Sequence, residues 1–153
     1  MINKKYEFTG ETKEWCGHIL HRIRAIVDIA YAKAGEVGGG IESESNLSEN
    51  GNAWVWGNAK VWGDAKVYGN AEVCGDAKVK QPSDYRVMKN CWSSMRWFTY
   101  TRSNKKWRVG CFHGTGEELI KKAYADSETS GKCYEAIVRA VEAIEEATKE
   151  DNQ

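Results

Sequence analysis

The chain has 153 residues, 22 basic and 22 acidic side chains, 41% hydrophobic and 11% aromatic residues. That is one domain-sized unit with enough apolar side chains for a core, which excludes a disordered chain. No apolar run approaches the roughly 18 residues that cross a bilayer, no secretory leader pattern opens the sequence, and five scattered cysteines without a Cys-x-x-Cys pair exclude a zinc-finger signature.

From these limits we expect a cytoplasmic protein with free thiols, no metal, no cofactor and no membrane partner. The zero net charge hides an uneven distribution: −2 over residues 1–50, +1 over 51–80, +6 over 81–116 and −5 over 117–153. A basic block therefore stands beside an acidic tail.

Residues 4–8 read as a short strand, followed by a polar turn over Thr9–Glu14. His18–Ile29 alternates partly (Ile19, His21, Ile23, Ala25, Val27, Ile29) and is rich in β-branched residues, which favours a strand. Lys33–Gly40 is a turn-rich connection, and Gly38-Gly39-Gly40 reads as tight turns. It is not a phosphate loop, because no Gly-Lys-Ser/Thr follows.

From Gly51 to Lys80 the chain repeats one formula five times: Gly, Asn or Asp, Ala, any residue, Val, any residue. A fixed period means stacked units. Gly with Asn or Asp supplies a turn, while Ala and Val, two residues apart, point to one face of a short strand. Ile41 and Leu47 add two degenerate units before a two-residue phase shift. If three hexads make one circuit, residues 18 apart stack: Trp54 on Glu72, Trp56 on Cys74, Lys60 on Lys78, and Trp62 on Lys80. Trp54, Trp56 and Trp62 then point outward, either covered by flanking elements or forming an interface.

This run resembles the hexapeptide repeat of left-handed parallel β-helices, whose members are commonly trimers and often acyltransferases. The flanks, Lys5–Thr12, Gly38–Ile41 and Gly110–Thr115, are similar to those of small hexapeptide-repeat proteins encoded in phages and prophages. The resemblance implies a short left-handed parallel β-helix. It also implies a host-cell cytoplasmic location, and a role countering host defence by sequestering a nucleotide-like ligand or blocking a host protein.

Pro82, the single proline, ends the repeats. Asp84–Lys89 reads as a strand, and Arg96–Arg102 and Lys106–Phe112 flank Ser103-Asn104-Lys105 as a hairpin. Symmetric register would put Trp97, Thr99, Trp107, Val109 and Cys111 on one side. Arg96, Phe98, Tyr100, Arg102, Lys106, Arg108 and Phe112 would lie on the other. Thr115 with Glu118 three residues later marks a helix start, running to about Ala125. A second helix, from about Gly131 to Lys149, carries Tyr134, Ile137, Val138, Val141 and Ile144 on one stripe, facing the hairpin or a neighbouring subunit.

The fold expected is mainly β: N-terminal strands over 1–37, a short β-helix over 38–81, then a hairpin and two helices over 82–153. The basic block interleaves cations with aromatic rings, which suits phosphate oxygens and flat ligands, and a helix N-terminus adds free N–H groups. We therefore expect a non-catalytic binding protein holding a small anionic ligand through Arg96, Tyr100, Arg102, Lys106, Trp107, Arg108 and Thr115. The competing arrangement pairs these cations with the acidic tail. Long nucleic acid is disfavoured because the whole molecule lacks steering charge. A homo-oligomer, with a trimer as first choice, would use Trp54, Trp56, Trp62, Tyr134, Val138 and Val141.

Two further classes compete. One is a protein-protein assembly module built on the tryptophans. The other is an acyltransferase-like enzyme, which needs a histidine base. Residues 41–80 hold none, and His18, His21 and His113 lie outside them. Cys111 and His113 could share a strand face as a nucleophile pair; a strand thiol and a turn imidazole is the preferred reading.

Overall fold

The structure, a computed structural model, describes residues 5–149. Strands β1 (Tyr6–Trp15) and β2 (His18–Ala25) form an antiparallel hairpin with Trp15 opposite His18. The intervening Cys16 and Gly17 both have positive φ (48° and 82°), as a two-residue hairpin turn requires. The turn expected over Thr9–Glu14 is therefore not there. The ladder shifts between Phe8 and Thr12, with Gly10 at φ 95°, and the strand continues through the bulge. Lys4, the expected start of this strand, lies outside the described residues.

Strand β3 (Val37–Ile41) pairs antiparallel with β2, so Gly38–Gly40 is strand rather than tight turn. The glycines serve close packing. A Cβ on Gly38 would lie 2.4 Å from the Val55 carbonyl oxygen, and one on Gly39 would lie 2.7 Å from that of Ala59.

The strict hexads yield four two-residue strands: β4 (Trp54–Val55), β5 (Lys60–Val61), β6 (Glu72–Val73) and β7 (Lys78–Val79). They pair in parallel three hexads apart, Trp54 with Glu72 and Lys60 with Lys78. Ile41 pairs with Val61, and Leu47 forms an isolated bridge to Val67. Val55, Val61, Val67, Val73 and Val79 are fully buried among Ala53, Ala59, Ala71 and Ala77.

The expected left-handed β-helix is nevertheless corrected. The strands belong to three separate small sheets: a mixed five-stranded sheet in the order β1-β2-β3-β5-β7, a two-stranded parallel pair β4-β6, and a four-stranded antiparallel sheet. The reason is depth. The rungs are hydrogen-bonded three hexads apart, the Trp54 N–H to the Ala71 carbonyl and the Lys60 N–H to that of Ala77. They stack only two or three high, however, and one stack continues through β3 into the N-terminal hairpin.

That antiparallel sheet comprises β8 (Tyr85–Lys89), β9 (Trp97–Thr101), β10 (Lys106–Val109) and β11 (Phe112–Thr115), in the order β11-β10-β9-β8. The segment expected as one hairpin arm, Lys106–Phe112, turns back at Gly110-Cys111, with Gly110 at φ 56°. It is tied to the repeats by the Glu72 N–H donating to Thr99 Oγ1 (2.9 Å) and the Lys78 N–H donating to Ser103 Oγ (2.7 Å).

Helix α1 (Gly116–Asp126) starts at Thr115, whose Oγ1 accepts from the Glu118 N–H at 3.2 Å. Helix α2 (Glu128–Lys149) follows after one residue. A second core joins Phe98, Tyr100 and Trp107 to Leu119, Ile120, Tyr134, Val138 and Val141. The helical stripe thus covers the chain's own sheet: Tyr134, Val138 and Val141 are at most 5% exposed and offer no surface to a subunit. No helix among the described residues is long and apolar enough to cross a membrane.

Because the Gly38 neighbour is a backbone carbonyl rather than a yielding side chain, Gly38→Ala should cost about 1–3 kcal/mol. Equilibrium denaturation reads this directly, and an unchanged midpoint would contradict the packing described.

Candidate ligand-binding site

The seven predicted binding residues do not converge. Trp107 pairs with Tyr100 in the β9–β10 ladder, and Arg108 with Thr99. Alternation therefore places Tyr100 and Trp107 on the helix side, and Lys106 and Arg108 on the side facing the repeats. The expected register was off by one residue, because the connection runs from Arg102 to Lys105 rather than over three residues. Arg96 is exposed and reaches towards Gly110 at the β10–β11 turn.

Tyr100, Arg102, Trp107 and Thr115 do line neighbouring clefts between the β9–β10 hairpin and α2, of about 510 and 270 Å³. The charges there are balanced. Glu145 takes Arg86 at 3.0 Å on one oxygen and Arg102 at 2.8 Å on the other, and Glu142 and Glu146 add negative charge to the wall. This is the pairing of basic block with acidic tail, and it removes the free guanidinium that an anion needs.

Arg108 faces Glu72 instead, with Nε 3.8 Å from a carboxylate oxygen. Glu72 is 5% exposed and accepts a hydrogen bond from the Trp56 indole at 3.2 Å. Burial raises its pKa, against the opposing pulls of Trp56 and Arg108. The neighbouring Cys74 thiol is pushed up to about 11, mainly by burial. Trp54 and Trp62 are buried, at 0% and 8% exposure, and Trp56 is half-buried. The tryptophans expected as an outward interface pack instead within the chain: the Trp54 ring reaches Gly38, and Trp62 lies edge-on to Trp15.

The histidines are also engaged. His18 Nδ1 is 2.8 Å from Glu42, whose pKa is lowered by the Gly63 N–H and by His18. His21 stacks on Phe8 at 4.6 Å, and the His113 ring lies against Gly75. Cys111 sits in the β10–β11 turn, so it does not share a strand face with His113. Among the described residues no cluster of His, Cys, Asp or Glu could hold a metal, and the five cysteines are free.

A different cationic site forms on the outer face of the five-stranded sheet. Register carries one side of the sheet through Lys13–Leu20 and Trp15–His18, and across Arg22, Gly40, Lys60 and Lys78. The Lys60 and Lys78 ammonium groups lie 4.6 and 5.1 Å from the centroid of the same Trp15 ring, within cation–π range. Like charges side by side on neighbouring strands repel. Burial lowers the pKa of half-buried Lys60, and Lys13 and Lys78 lower it further, with Asp76 opposing. Among the described residues, Lys13, Lys60 and Lys78 enter no ion pair.

Beside them is a pocket of about 50 Å³ with Lys13, Arg22 and Lys60 in its wall and Leu20, Gly40 and Ala59 among its lining. Arg22 is anchored by donating to the Gly38 (2.8 Å) and Gly57 (3.2 Å) carbonyls, and its Nε lies 3.4 Å from exposed Glu11. Sequence reasoning aligned Lys60 with Lys78 through the 18-residue spacing. It missed Lys13 because a turn was read where β1 continues, and Trp15 and Arg22 because the β1–β2 hairpin and its pairing with β3 were not foreseen. No family model and no curated protein sequence matches the chain.

The buried Glu72 gives a pH test. Its folded-state pKa lies above the ordinary 4.5, so the ionised form penalises folding. That penalty is absent below 4.5 and builds as pH rises through the raised value. Glu72→Gln, which keeps an acceptor for Trp56, should unfold at a higher temperature than the parent at pH 7, with the gap closing towards pH 4. A gap independent of pH would contradict this.

Proposed function

We propose that the protein is a non-catalytic binding protein for a small phosphate-bearing anion, held on the outer face of the five-stranded sheet by Lys13, Arg22, Lys60 and Lys78. The observation that carries this reading is Lys60. It is a half-buried ammonium that donates to the Asn58 carbonyl at 3.1 Å, enters no ion pair among the described residues, and stands beside Lys78 on the neighbouring strand. An arrangement that repels itself is stabilised by whatever brings negative charge, and phosphate oxygens accept ammonium and guanidinium hydrogen bonds at short distance. The pocket size favours a compact group over a long polymer lying flat.

The hairpin cations, first in line from the sequence, have the weaker claim because Glu145 neutralises Arg86 and Arg102. The assembly reading has lost the tryptophan surface that motivated it. The acyltransferase reading finds no histidine in the walls of the clefts described above.

Titration calorimetry with inorganic phosphate at low ionic strength tests the proposal. Lys60→Ala should weaken binding about tenfold or more, the worth of one charge-assisted hydrogen bond, with its unfolding temperature unchanged or raised by relief of repulsion. Arg102→Glu should leave phosphate binding intact while lowering stability through loss of the Glu145 pair. The opposite pattern, binding lost in Arg102→Glu and kept in Lys60→Ala, would return the site to the hairpin.

A further inference from the structure

We infer that this site is built for a ligand carrying two linked phosphoryl groups, with Lys60 shared between them and Lys78 holding the second; the inference rests on the phosphate-binding reading above. Three observations lead to it.

The pocket beside Lys13, Arg22 and Lys60 measures about 50 Å³. On the same measure one water needs roughly 10–15 Å³, so the pocket admits a compact group of a few heavy atoms. Lys78 is not part of its wall. Yet Lys78 stands directly beside Lys60, in register on the neighbouring parallel strand, about 4.8 Å away at the backbone. Both ammonium groups are drawn over the same Trp15 ring. Trp15 thus gathers a cation outside the pocket against one that lines it. A single phosphate in the pocket leaves Lys78 facing Lys60 uncompensated. A second phosphoryl group, joined through a bridging oxygen, extends out of the pocket onto that pair.

Charge complementarity agrees. Lys13, Arg22, Lys60 and Lys78 supply four positive charges. The nearby carboxylates are Glu11, at 3.4 Å from Arg22 and exposed, and Asp76, which accepts a hydrogen bond from the Asn104 amide at 3.1 Å. Four cations against these two carboxylates leave an excess of two positive charges, more than a phosphate monoanion neutralises.

The Trp15 ring is not offered to a nucleobase by this arrangement. Two ammonium groups already lie over the ring, and its neighbour Trp62 lies edge-on at 6.4 Å. Recognition therefore rests on the phosphoryl pair, and what is attached to it projects towards solvent.

The test compares sodium pyrophosphate with orthophosphate by calorimetry on the full chain and on Lys78→Gln, with Lys60→Ala as reference and circular dichroism to confirm folding. We expect pyrophosphate to bind the parent about tenfold tighter than orthophosphate. Lys78→Gln should erase that difference by weakening pyrophosphate binding far more than orthophosphate binding. Equal affinities in the parent, or equal weakening of both anions in Lys78→Gln, overturns the two-phosphoryl inference while leaving the phosphate site in place. Absence of binding by both anions, or binding that Lys60→Ala does not weaken, overturns the site itself and the inference with it.

Discussion

Each strict hexad is closed by a glycine at positive φ, between 51° and 74° for Gly51, Gly57, Gly63, Gly69 and Gly75. A chain that must bend every six residues can offer strands only two residues long. One small residue and one valine per unit then face inward, and the fully buried valine column shows how completely that happens. Short rungs have a consequence for everything around them. Side chains in the two positions flanking valine stand on the outside in columns three hexads apart, whatever their charge. Lys60 and Lys78 are set side by side by backbone geometry, without any attraction of their own.

The surroundings resolve these outward columns in two ways. On the β4–β6 pair, Glu72 meets Thr99 of β9 and Arg108 of β10 as polar partners, while Trp54 packs against Gly38 of β3. Glu72 is kept there at an energetic cost, because desolvation outweighs its contacts. On the five-stranded sheet the match is incomplete. The β1–β2 hairpin contributes Trp15, which holds the two ammonium groups by cation–π contact, and adds Lys13 and Arg22 with the single carboxylate of Glu11. The same scaffold thus neutralises one set of outward charges and matches the other only in part.

Much of this was legible in the sequence because it was periodic. The turns, the valine core, the pairing of residues 18 apart, the Thr115 helix start and the apolar stripe of α2 all follow from spacing. What failed were features set by neighbours in space. The β-helix expectation continued the repeats into a solenoid, whereas the rungs stack only two or three high and one stack runs on into the β1–β2 hairpin, giving three small sheets. A bulge at Gly10 looked like a turn because polar residues and glycine suit both. The basic hairpin looked like a site because charge is visible in a sequence and the Glu145 partner, more than forty residues on, is not. A one-residue difference in hairpin register then moved half of the chosen cations to the opposite face.

The proposed phosphate site depends on Lys60 being a desolvated ammonium that enters no ion pair among the described residues. Nuclear magnetic resonance of the lysine side chains, titrated with and without inorganic phosphate, measures that state directly. The account predicts a Lys60 pKa below the ordinary 10.5 in the free protein, rising when phosphate is added. An ordinary value that phosphate does not move would contradict it.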